Sequence, residues 1–124
     1  MRPTIATVLS PRPWEAELVR TAIESGLVRL LARCYNPADV PAVDAVVAGS
    51  EVPWLNGSVI AQWQRSGLAV IGVFPLGDRP AIEMFCRAGV DQLFADVADP
   101  VVMLRAIRDV AAAEASLVEV LRPI

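Results

Sequence analysis

Arg65-Ser66-Gly67-Leu68-Ala69-Val70-Ile71-Gly72-Val73-Phe74 joins the end of a helix to a buried strand. Glycine closes a helix in the left-handed conformation without a steric penalty, and the unbroken apolar run behind it reads as a strand covered on both faces. The same joint recurs at Glu24-Ser25-Gly26-Leu27-Val28 and at Arg87-Ala88-Gly89-Val90-Asp91. Three such joints imply helices alternating with parallel strands. The helix starts carry a complementary mark. Pro13, Asn36-Pro37, Asp78-Arg79-Pro80 and Asp99-Pro100 each put a proline where a first helical turn needs no N–H donor, three of them behind an Asn or Asp able to cap.

These marks predict strands over Thr4–Leu9, Val28–Cys34, Asp44–Ala48, Ala69–Phe74 and Gln92–Ala95, with helices over Pro13–Ser25, Pro37–Val40, Asn56–Ser66, Arg79–Ala88 and from Pro100 onward. The runs at residues 5–9, 45–48 and 70–74 are apolar throughout or nearly so and belong in the middle of a sheet. Arg29 and Arg33 interrupt the second strand, which marks it as an edge. Right-handed crossovers then favour the sheet order 2-1-3-4-5. The expected fold is α/β: a flavodoxin-like (βα)5 three-layer sandwich with its functional edge at the carboxyl ends of the strands. In the last helix Val101, Leu104, Ile107, Ala111, Ala115, Val118 and Leu121 recur at three and four, a stripe longer than a five-stranded sheet needs. The expectation is therefore a domain over residues 1–112 and an extended C-terminal helix over 113–124, acting as a linker or a dimer contact.

Composition narrows the chemistry. The chain has 124 residues, enough for one domain, and 55% of them are apolar. Eleven basic residues against fourteen acidic ones give a net charge of −3, so no general basic field exists to hold nucleic acid or an anionic membrane. There is no His, and no Lys, so all the cations are Arg. This removes His metal ligands, Ser/His and Cys/His nucleophile pairs, the phosphate-loop Lys and any Schiff-base Lys. Cys34 and Cys86 stand far apart and form no CxxC, which suits reduced thiols in a cytoplasmic protein. No apolar run approaches the roughly 20 residues that would span a membrane. No enzyme activity, metal or cofactor is expected.

The residues due at the carboxyl edge are Ser10, Pro11 and Arg12, then Gly49, Ser50 and Glu51, then Pro75 to Asp78, and Asp96. Within this frame the stretch Val43-Asp44-Ala45-Val46-Val47-Ala48-Gly49-Ser50-Glu51-Val52-Pro53-Trp54-Leu55-Asn56-Gly57 resembles the third strand and following loop of response-regulator receiver domains, which read Pro-Asp-Leu-Val, two apolar residues, Asp-x-x-Met-Pro-x-Met-Asp-Gly. Ala88-Gly89-Val90-Asp91-Gln92-Leu93-Phe94-Ala95-Asp96-Val97-Ala98-Asp99-Pro100 is similar to their Ala-Gly-Ala-Asp-Asp-Tyr stretch and the Lys-Pro that follows. By this resemblance the receiver's acidic pair falls on Ser10 and Pro11, its phospho-accepting Asp on Gly49, its Thr or Ser on Phe74, its switch aromatic on Leu93 and its Lys on Asp96. Receiver chemistry needs clustered carboxylates for Mg²⁺ and a carboxylate in line with phosphorus. Gly49 and Pro11 offer neither.

The resemblance therefore implies a pseudo-receiver: a regulatory domain that docks or dimerises without phosphoryl chemistry, of the kind attached to MinD/ParA-type ATPases of pilus assembly or septum placement. By the same resemblance the dimer face would comprise Arg87, Leu93, Leu104, Arg105, Arg108 and Asp109. The rival reading is a small-molecule or nucleotide sensor that uses Arg12, Ser50 and Trp54 around the degenerate pocket. Trp14 and Trp54 are expected to roof that pocket, and Trp63, three and four positions from Ile60 and Val59, to join the core.

Overall fold

The computed structural model describes the backbone of residues 2–121 and the side chains of residues 2–112. In chain order the elements are β1 (Thr4–Val8), α1 (Pro13–Ser25), β2 (Arg29–Cys34), a 3-10 turn (Pro37–Asp39), β3 (Ala45–Gly49), α2 (Gly57–Arg65), β4 (Ala69–Phe74), α3 (Arg79–Arg87), β5 (Gln92–Ala95) and α4 (Pro100–Leu121). The strands form one parallel sheet in the order β2-β1-β3-β4-β5. Strand limits lie within about a residue of those predicted. One element differs in kind: the second predicted helix is only the 3-10 turn, so the fold has four α-helices and falls short of a full (βα)5. Residues 35–44 are fewer than the roughly dozen that a helical crossover requires.

Capping follows the sequence marks. The side chain of Asn56 accepts from the Val59 amide, Asp78 from Ala81 and Asn36 from Ala38. At the end of α1, Gly26 takes a φ of 68°, the left-handed conformation its joint required.

The alternation of each strand divides the core in two. Ile5, Ala45, Val47, Ala69, Ile71 and Val73 face α1 and α4, where Leu18, Met103, Leu104 and Ile107 pack against them. Val8, Val46, Ala48 and Val70 face α2 and α3, meeting Ile60, Trp63 and Phe85. Trp63 is a core residue, as its spacing predicts. Leu104, assigned above to a dimer face, is fully buried among the α1 and α4 contacts, so it belongs to the interior; its position between Met103 and Ile107 turns it onto the sheet.

β2 holds an irregularity that matters for the site. Its register against β1 shifts between Ile5 and Ala6, which pair with Leu30 and Ala32 and leave Leu31 unpaired and exposed. Because side chains alternate with a period of two, the extra residue reverses which face the rest of the strand presents. Leu30 packs on the α1 side and Ala32 on the opposite side. Arg33 thereby turns toward α1.

Gly72 marks the tightest approach in the sheet. A Cβ built there would lie 2.7 Å from Leu93 Cδ2 and 2.9 Å from Phe85 Cγ. Gly72→Ala should lower the unfolding free energy in urea by about 1–3 kcal/mol, the usual cost of overfilling a packed core; an unchanged midpoint would show that α3 yields freely.

Cys34 closes β2 and is buried, with its Sγ 3.6 Å from the Asp39 carbonyl oxygen; Cys86 is exposed on α3. Burial, with a smaller contribution from Asp39, raises the Cys34 thiol above its ordinary value of 9.0. The folded state then binds the proton more tightly than the unfolded one. This contribution to stability is complete below about pH 9 and is lost as pH climbs further. Labelling by a thiol reagent at neutral pH should modify Cys86 rapidly and Cys34 at the rate of unfolding, and equal rates would contradict the burial.

Candidate functional site at the carboxyl edge of the sheet

The ends of β1, β3 and β4 and the loops that leave them enclose a cavity lined by Leu9, Ser10, Arg12, Trp14, Glu15, Gly49, Ser50, Glu51, Val73, Phe74, Pro75 and Asp96. Its volume of about 50 Å³ falls well below the roughly 300–1,000 Å³ of small-molecule sites and would take about two waters. The structure brings together Ser10, Arg12, Gly49, Ser50, Phe74 and Asp96 here. Pro11 is exposed beside Ser10 in the same loop.

Gly49 ends β3 beneath Leu9. A Cβ at Gly49 would stand 3.0 Å from Leu9 Cδ2, tighter than ordinary contact, so the Leu9 methyl would have to give by a few tenths of an ångström to admit a side chain there. Phe74 adds its ring to the wall, half-buried and packed on the α2 and α3 core. The Trp14 indole N–H donates to the Ala98 carbonyl at 2.9 Å, pinning the start of α1 to the loop after β5. Apolar volume thus fills much of this edge.

Its carboxylates all have partners. Asp96 accepts the Leu76 amide at 3.2 Å, while its own amide donates to the Phe74 carbonyl at 2.9 Å, so it ties the loops after β4 and β5 together. Glu51 meets Arg12 at 2.9 Å across the mouth of the cavity, an exposed pair worth up to about 1 kcal/mol. Glu15, only 3% exposed, receives two hydrogen bonds from the Arg33 guanidinium, one of them at 2.8 Å from Nε. The Glu15 hydrogen bond is the main cause that raises the Arg33 pKa above its ordinary value. The sequence marks Arg33 only as a residue of an edge strand and gives no sign of Glu15 as its partner. The only signal for their meeting is the bulge at Leu31, which no residue type announces. The Ser50 hydroxyl is buried with no hydrogen-bond partner among the described residues, although its amide donates to the Val73 carbonyl at 2.9 Å.

Trp54 does not roof this cavity. It is 71% exposed with a φ of 68°, a conformation costing a non-glycine residue roughly 1–2 kcal/mol, and it lines a different concavity. That groove, of about 600 Å³, runs between the short β2–β3 crossover and α2; Pro37, Val40, Pro41, Val59 and Trp63 share in its lining. Of the residues assigned to a dimer face, Arg87, Arg105, Arg108 and Asp109 are exposed and Leu93 is half-buried over Gly72. Arg87 reaches Glu83 at 3.6 Å and Arg108 its neighbour Asp109 at 3.3 Å.

Among solved structures, a LuxR-family DNA-binding response regulator from Staphylococcus aureus superposes with a TM-score of 0.75 at 17% identity, covering 88% of this chain and 98% of its own. The signal receiver domain of the response regulator NarL from Mycobacterium tuberculosis gives 0.75 at 13% identity, over 90% of this chain and 97% of that one. The fold is that of response-regulator receiver domains. A CheY-like receiver domain protein from Methanospirillum hungatei agrees, with a TM-score of 0.75 at 11% identity over 94% of this chain and 99% of its own. At these identities the receiver fold is what is shared. No family model matches the sequence, and no curated protein matches it. Among the described residues no three acidic or cysteine side chains are grouped as a metal would need, and no helix is long and apolar enough to cross a membrane.

The Glu15–Arg33 pair generates an asymmetric prediction. Arg33→Ala strands a carboxylate that water hardly reaches, whereas Glu15→Gln leaves a guanidinium that is 42% exposed and can hydrate. Arg33→Ala should therefore cost more in urea denaturation, about 2–3 kcal/mol, below the 3–5 of fully buried pairs because half of the pair sees solvent. Equal losses would mean that the carboxylate is better hydrated than its burial indicates.

Proposed function

We propose that this chain is a regulatory signalling domain that has kept the receiver scaffold and given up phosphoryl transfer, acting instead by presenting its surface to a protein partner. The observation that carries this reading is Gly49 under Leu9: the position corresponding to the receiver's phospho-acceptor has no side chain, and a Leu9 methyl packs against the point where one would begin. Around it, Ser10 and Pro11 stand where the resemblance puts the metal-holding acids, and Phe74 and Asp96 where it puts the hydroxyl and the ammonium. Glu15, Glu51 and Asp96 have carboxylates, but each is committed to a partner that holds a loop or strand in place. The partner is a second copy of the chain or an attached ATPase domain of the MinD/ParA type. The sensor reading has less support, since the cavity is several-fold smaller than a nucleotide requires.

Incubation with acetyl phosphate and Mg²⁺ should leave the intact mass unchanged and produce no shift in Tm. A phosphoryl adduct on any carboxylate would sink the proposal. Gly49→Asp should also stay unmodified, because Leu9 presses on the new side chain and the acids that share its cavity, Glu15, Glu51 and Asp96, are each held by a partner of their own.

A further inference from the structure

The groove beside α2 rests on a gap in the fold. One face of the sheet carries α1 and α4; the other carries α2 and α3, and the β2–β3 crossover contributes only its 3-10 turn where a third helix would lie. The opening extends from Asn36 and Trp54 at the carboxyl edge to Ala42 and Leu68 at the amino edge, alongside the five residues of β3, or about 16 Å at 3.3 Å per residue. No charged residue lines it, and Arg65 flanks it at the end of α2, exposed and without an ion-pair partner among the described residues.

We propose that this groove receives residues 113–121 of α4 from a second copy of the chain, exchanged reciprocally about a two-fold axis. The inference rests on the docking reading above and names its partner and its seat. α4 continues to Leu121, so this segment is nine residues of helix, about 14 Å long, which matches the groove. Its sequence, Ala113-Glu114-Ala115-Ser116-Leu117-Val118-Glu119-Val120-Leu121, joins six apolar residues to two glutamates, complementary to an uncharged channel flanked by Arg65. α4 and the groove lie in opposite layers, so a chain cannot fill its own groove while α4 stays on the sheet. Two copies can fill each other's. Docking also covers Trp54, whose exposed indole and left-handed backbone are otherwise a cost without a return.

Sedimentation equilibrium of the full chain is expected to show a concentration-dependent dimer. Arg65→Glu should weaken it about tenfold or more by turning attraction into repulsion, and adding Glu114→Arg with Glu119→Arg should restore it. Trp54→Gly, which removes one wall of the groove while relieving the backbone, should weaken it as well. Far-UV circular dichroism verifies that each variant remains folded. A chain monomeric at all concentrations overturns the inference. So does a dimer indifferent to Arg65→Glu and Trp54→Gly, which would place the contact elsewhere and leave the docking reading intact. A phosphoryl adduct, by contrast, defeats that reading and not the groove.

Discussion

A parallel sheet pairs strands that are distant in sequence, and its backbone hydrogen bonds survive only where both faces are shut off from water. Here β1, β3 and β4 meet that condition with short side chains, mostly Ala and Val, that let helices approach from either side. Gly72 takes the requirement to its limit by letting Phe85 and Leu93 rest almost on the backbone. Everything at the carboxyl edge inherits its position from this packing. Gly49 ends β3 with Ser50 behind it, Phe74 ends β4, and Ser10 and Arg12 follow β1, so the layers place the lining of the cavity irrespective of its own hydrogen bonds.

The local grammar of the sequence made most of this readable. Glycine after a helix, proline inside its first turn and an Asn or Asp ahead of it are properties of single residues and their neighbours, and they located strands and helices to about a residue. Apolar runs separated central strands from edge strands for the same reason. Features that depend on relations between distant residues were not readable. The Leu31 bulge involves the register between two strands, and Arg33 and Glu15 are brought together only after that register is set. The second helix was overread because Asn36-Pro37 starts a 3-10 turn as well as it starts an α-helix; the length of the crossover decided the outcome.

The carboxyl edge was partly legible. Ser10, Arg12, Gly49, Ser50, Glu51, Pro75 and Asp96 line the cavity because strand ends determine most of its membership, while Pro11 and Leu76 to Asp78 lie outside its lining. What fills it was less accessible: Trp14 and Trp54 are equivalent as bulky residues near the edge, yet one is pinned to Ala98 and the other turned outward by a positive φ. Leu104 shows the converse error. A stripe at three and four says that a helix has an apolar face without saying how much of it the sheet consumes, and here the sheet takes Met103, Leu104 and Ile107 together.

The contact between Leu9 and Gly49 also bears on how such a domain can change over generations. A side chain added at position 49 presses on the Leu9 methyl, and trimming Leu9 removes buried apolar volume. Substitutions at the two positions are therefore coupled: each changes what the other costs, and their effects on stability do not add.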